Sequence, residues 1–151
     1  MTGFFKVLKF DQKVRQTPRL IYKKLKTRNS TRIEFEDEFY KNFSKPLAAL
    51  ESKGFIKGLH SLGHSYQSGI EVTDPTYIMY LCAIAEEAEK MQTLIDVLEN
   101  AEAGTFLRSK EIDVELPLPV FRAIFKIYES KGYGMRTTTV EADNCSYLCK
   151  A

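Results

Sequence analysis

Pro119 and Gly132 bracket the stretch that most constrains what this chain can fold into. A proline in a first helical turn needs no amide donor, and a glycine supplies the left-handed residue that closes a helix. Between them Val120, Phe121, Ile124, Phe125 and Tyr128 recur at helical spacing. Upstream, Ile112, Val114 and Leu116 alternate with charged residues, the period of a strand with one buried face. Downstream, Gly134, Arg136 and the hydroxyls of Thr137, Thr138 and Thr139 read as a second strand, and the run into Cys149 as a closing one. The spacing predicts a β-α-β-β unit over 105–151.

The first half punctuates itself in the same way. Thr17-Pro18 reads as an N-cap followed by a first-turn proline, and Leu20, Ile21 and Leu25 give the helix its apolar face. The polar run Arg28-Asn29-Ser30-Thr31-Arg32 breaks it, and Ile33 and Phe35 then alternate as a strand. A helix is expected from Asp37, with Phe39, Phe43, Leu47 and Leu50 on one side. Pro46 lies inside it, so the helix kinks there or restarts with Ser44 as cap. Gly54 ends it, Phe55-Ile56 starts a strand, and Gly58, Gly63 and Gly69 punctuate a hairpin returning through 70–73. The reading for 17–74 is α-β-α-β-β. The two halves echo each other in Glu-Ser-Lys-Gly-aromatic runs, Glu51 to Phe55 and Glu129 to Tyr133, which convergent helix-end chemistry explains.

Asp74-Pro75 opens a connecting segment over 75–104. Residues 76–85 suit a strand or a helix. From Glu86 onward Ala88, Met91, Leu94, Ile95 and Leu98 mark a helix that Gly104 stops, with Glu86, Glu87 and Glu89 on its solvated face. The expected class is therefore α+β: two small α/β subdomains joined by an acidic helical segment, after a basic arm at 1–16.

Charge is segregated along the chain. Residues 1–32 carry ten Lys or Arg against Asp11 alone, a net +9; residues 33–151 carry twelve basic and nineteen acidic groups, a net −7. A basic arm attracts a phosphate backbone because each neutralised phosphate releases counterions; a solubilising or organelle-targeting tail is the alternative. No run of apolar residues is long enough for a membrane span, and three cysteines at unrelated spacings make no disulfide framework. His60 and His64 lack a third ligand nearby, and Cys145 and Cys149, four apart on a strand end, read as small core residues facing one side. There is no phosphate-cradling loop, nucleophile elbow or apolar carboxylate pair, so neither an enzyme nor a cofactor is expected.

Several of these motifs, in order, resemble the small-subunit ribosomal protein S-eight family, most of all its mitochondrial members. They are Arg28-Asn29-Ser30-Thr31-Arg32 after the first helix, Gly54-Phe55-Ile56, and Ser109-Lys110 ahead of Leu116-Pro117. Gly132-Tyr133-Gly134-Met135 before Thr137-Thr138-Thr139 and the closing Leu148-Cys149 complete the series. The resemblance implies a structural constituent of the mitochondrial small ribosomal subunit that binds the central domain of its RNA and supports assembly. It implies RNA contacts by Lys23, Lys26, Arg28, Asn29 and Arg32, and by Arg108, Lys110, Arg136, Thr137, Thr138 and Thr139. Glu111-Ile112 stands where the family has Pro-Gly, and the acidic helix at 86–103 is outside the usual pattern. That helix is expected to meet a neighbouring protein. The competing readings are a winged-helix DNA-binding regulator, with 44–56 as recognition helix and wing, and a small viral or host interaction protein.

Overall fold

The structure, a computed structural model, describes residues 12–59, 69–135 and 145–151. Its first unit comprises helix α1 (Gln12–Arg28), strand β1 (Arg32–Ile33), helices α2 (Asp37–Asn42) and α3 (Ser44–Ser52), and strands β2 (Ile56–Gly58) and β3 (Ile70–Val72). Helix α4 (Pro75–Cys82), a π-helical turn (Ala83–Glu87) and helix α5 (Ala88–Asn100) follow. Strand β4 (Phe106–Arg108), a 3-10 turn (Ser109–Glu111), helix α6 (Leu118–Ser130) and strands β5 (Gly134–Met135) and β6 (Tyr147–Lys150) complete the order. Two antiparallel three-stranded sheets, β1-β3-β2 and β4-β6-β5, pack with these helices in an α+β fold.

The punctuation accounts for most boundaries. Asp74 caps α4 by accepting a hydrogen bond from the Thr76 amide at 2.9 Å, and Pro75 occupies the first turn. Segment 76–85 therefore starts as a helix. Its buried set, Tyr77, Ile78, Leu81 and Cys82, follows a helical period, whereas a strand would have buried alternate residues. Pro119 lies in the first turn of α6, and Gly132, at φ 80°, closes that helix. At Gly69, φ is 114° and a Cβ would stand 2.6 Å from the Ile33 carbonyl oxygen. Only glycine lets β3 lie against β1 there.

Four expectations shift. Pro18 lies inside α1, which already begins at Gln12, so Thr17 is a buried helical residue rather than a cap. The helix predicted from Asp37 is two helices, and the restart is at Ser44; Phe43, at φ −116° and ψ 21°, is the cap residue, with no side-chain bond. Helix α5 ends at Asn100, with an extended Ala101 after it, ahead of Gly104. The strand read at Ile112, Val114 and Leu116 is absent. Both edges of the central strand β6 are taken by β4 and β5, and the edges left to 112–117 are those of strands only three and two residues long. Ile112, Val114 and Leu116 nonetheless pack, half-buried, on the core.

One hydrophobic core runs through both sheets: Ile21 and Leu25 of α1, Leu47 and Leu50 of α3, and Ile33, Ile56 and Ile70 of the first sheet join it. Tyr77 and Leu81 of α4, Met91, Leu94 and Leu98 of α5, Val120, Ile124 and Phe125 of α6, and Leu148 of β6 belong to it as well. Helix α4 packs chiefly on α6 and also on α1, so the predicted connection contributes a central element.

Candidate nucleic-acid interface

Helix α1 turns its basic residues outward because Ile21, Tyr22 and Leu25 are buried, while Lys23, Lys26 and Arg28 are exposed; Leu20, expected on the apolar face, is exposed as well. Lys26 and Arg28 fall in its last turn, where cations complement the negative end of the helix dipole. Lys24 sits over the Phe35 ring at 5.8 Å from its centroid. The following turn is built from its own side chains. Asn29 adopts φ 52°, and its Oδ1 accepts a 2.7 Å hydrogen bond from the Leu118 amide at the start of α6. Ser30 Oγ accepts from the Arg32 amide at 3.1 Å. Arg32, 71% exposed, lies 3.7 Å from Glu71, a pairing that water weakens. Arg28, Ser30 and Arg32, with Ile33, Glu34 and Leu59, line an open groove of about 410 Å³. Arg28 and Arg32 of the five predicted first-half residues thus converge, and Lys23 stands outward on the helix.

Lys26 and Asn29 have other partners. Glu87, which the sequence reads as a solvated acid, is buried at the end of the π-helical turn. It accepts 2.5 Å hydrogen bonds from Tyr22 Oη and Lys26 Nζ. Burial alone would raise the Glu87 carboxyl, but the bonds from Lys26 and Tyr22 outweigh it and hold the group below its ordinary value. Glu87 in turn raises the Lys26 ammonium. Burial, then the Glu87 bond, pushes the Tyr22 hydroxyl far up, and burial lifts the neighbouring Cys82 thiol to about 11. The chain kinks just before Glu87 through Glu86 at φ 64°, a left-handed residue with a side chain, and Glu87, next after it, is buried. Glu86 and Glu89 remain exposed as expected. Among the other acids of α5, Asp96 accepts from Gln92 at 2.9 Å and Glu99 is exposed.

In the second half, Arg108 lies over the rings of Phe106 and Tyr147, at 5.3 and 6.0 Å from their centroids, and 3.5 Å from Glu111. Those rings stack at 5.5 Å across β4 and β6, and Phe106 is 43% exposed. Guanidinium and aromatic faces of this kind are surfaces on which unpaired bases stack. The aromatic pair escaped the sequence reading because Phe106 precedes the strand expected there. Lys110 is exposed in the 3-10 turn. Ser109 is internal: its Oγ accepts from the Ser146 amide at 2.8 Å and donates to Cys145 Sγ at 3.4 Å. Cys145 precedes β6 rather than lying in it, so the one-sided pairing with Cys149 does not hold. Burial would raise the Cys145 thiol, but Ser109 and nearby donors bring it down. Arg136, Thr137, Thr138 and Thr139, and both histidines, lie outside the described residues.

Among the described residues no group of three His, Cys, Asp or Glu could hold a metal ion, and no helix is long and apolar enough to cross a membrane. Compared with known proteins, the chain matches no family model, no curated sequence and no solved structure.

Proposed function

We propose that the protein is an RNA-binding structural component of a small ribosomal subunit, in the mitochondrion, holding the central domain of the ribosomal RNA. The observation that carries this reading is the convergence of Arg28, Ser30 and Arg32 on one open groove beside the first sheet. It stands at the end of the segment with net charge +9. Arginines and a hydroxyl around an open groove suit phosphate and sugar oxygens, and the Phe106–Arg108–Tyr147 cluster suits an unpaired base. The exposed acids of α5 face outward, where a basic neighbouring protein would complement them. A winged-helix reading would need α3 to enter a DNA groove. Of its nine residues, Pro46, Leu47 and Leu50 are buried, and the cation it turns outward within its span is Lys45.

The test is sucrose-gradient sedimentation of a tagged full-length copy from isolated mitochondria, at moderate salt. Co-migration with the small subunit is the expected outcome. A protein that stays at the top of the gradient, and shifts duplex DNA in preference to structured RNA, would replace this reading with the DNA-binding one.

A further inference from the structure

The turn after α1 has two sides. Ser30 and Arg32 line the groove described above, whereas Thr31, between them, lines a second groove of about 380 Å³. Glu71 of β3 and Thr73 just after it bound this second groove on one side, and Pro119, Arg122 and Lys126 of α6 bound it on the other. We propose that it is a second seat for the RNA sugar–phosphate backbone, continuous with the first around the Ser30–Arg32 turn. The inference rests on the RNA-binding reading and extends it to residues which that reading does not include.

Arg122 and Lys126 stand four residues apart on α6, hence on one face of that helix. Lys126 is exposed. The carboxylate on the wall, Glu71, lies 3.7 Å from Arg32. Pro119 brings the first turn of α6 to the rim, where the helix dipole adds positive potential. Thr73 Oγ1 donates to the Gly54 carbonyl at 3.1 Å, which leaves its lone pairs to accept from a donor. A ribose 2′-hydroxyl is such a donor, and a deoxyribose has none. The Asn29–Leu118 hydrogen bond fixes α6 against the turn, so the spacing between the two grooves is set before RNA arrives.

The experiment titrates the full-length chain against a central-domain fragment of small-subunit ribosomal RNA across a range of potassium chloride concentrations. The variants are Arg32→Ala, Lys126→Ala, Arg122→Gln and, as a charge-loss control on α3, Lys45→Ala. Thermal melts accompany each; the exposed Lys126→Ala keeps the test valid should Arg122→Gln fail to fold. Lys126→Ala is expected to reduce the slope of log affinity against log salt by about one, and Lys45→Ala to leave it unchanged. Binding that responds to Arg32→Ala but to neither α6 variant overturns the second seat alone, as does an equal loss in Lys45→Ala. A wild-type chain that binds no RNA overturns both readings.

Discussion

Replacing Glu87 by alanine tests how the break between α4 and α5 is held. Glu87 is 8% exposed and accepts from a buried hydroxyl and a half-exposed ammonium, Tyr22 being 3% exposed and the Lys26 side chain 54%. A hydrogen bond to a charged group contributes about 1.5–3 kcal/mol, and a buried donor left without a partner costs about 1–3 kcal/mol. Lys26 can rehydrate, so its share is about 0–1 kcal/mol. Because these contributions overlap, Glu87→Ala is expected to cost about 2–4 kcal/mol. Glu87→Gln, which keeps an acceptor for Tyr22, should cost about 1 kcal/mol on the same reasoning, and Lys26→Met less than about 1 kcal/mol. Urea denaturation with a common slope of about 1.5 kcal/mol per molar reads the alanine variant as a midpoint lowered by roughly 1.3–2.7 M. Two results would refute the reasoning: a Glu87→Ala loss under about 0.5 kcal/mol, or a Lys26→Met loss as large as that of Glu87→Ala.

The same group predicts a pH profile. Its folded-state value is depressed, so its stabilisation is complete above the ordinary carboxyl value of 4.5 and is lost as pH falls through the lowered value. The Lys26 ammonium is raised, so its share is complete below 10.5 and fades as pH climbs through the raised value. Acid titration of stability followed by circular dichroism should lose part of its low-pH limb in Glu87→Gln. Asn29→Gly keeps a residue suited to φ 52° but removes the acceptor for Leu118, and should lower stability by about 1 kcal/mol in a thermal melt. Asn29→Ala should lose about 1 kcal/mol more from left-handed strain; equal melts for the two would sink this account. The Tyr77 hydroxyl is buried with no hydrogen-bond partner among the described residues, so Tyr77→Phe should leave the urea midpoint unchanged or raise it by up to about 1 kcal/mol equivalent; a clear loss would reveal a partner.

Much of the fold was legible because prolines and glycines announce themselves locally. Pro119 and Gly132 bracket α6, Asp74 and Pro75 open α4, and Gly54 precedes β2, each acting within a few residues of itself. The failures involve partners far along the chain. Whether 112–116 becomes a strand depends on which edges β4 and β5 have already taken, and alternation carries no information about that. Pro18 suits a helix start in sequence because a proline at N1 and a proline inside a helix look alike until the preceding residues are placed. The basic turn was legible as a cluster, but the division of labour within it was not. Asn29 is committed to Leu118, 89 residues away, and Lys26 to Glu87, 61 residues away. Lys126 carries no signal of its own in the sequence, because it stands on a helix marked by its apolar face.

The outer strands of both sheets are short: β1 and β5 have two residues each, β2 and β4 three. At roughly 3.3 Å per residue none offers more than about 10 Å of open ladder among the described residues, a short template for another chain. Such brevity leaves helices and grooves, rather than the described strand edges, as the surfaces on which a partner of this chain can be held.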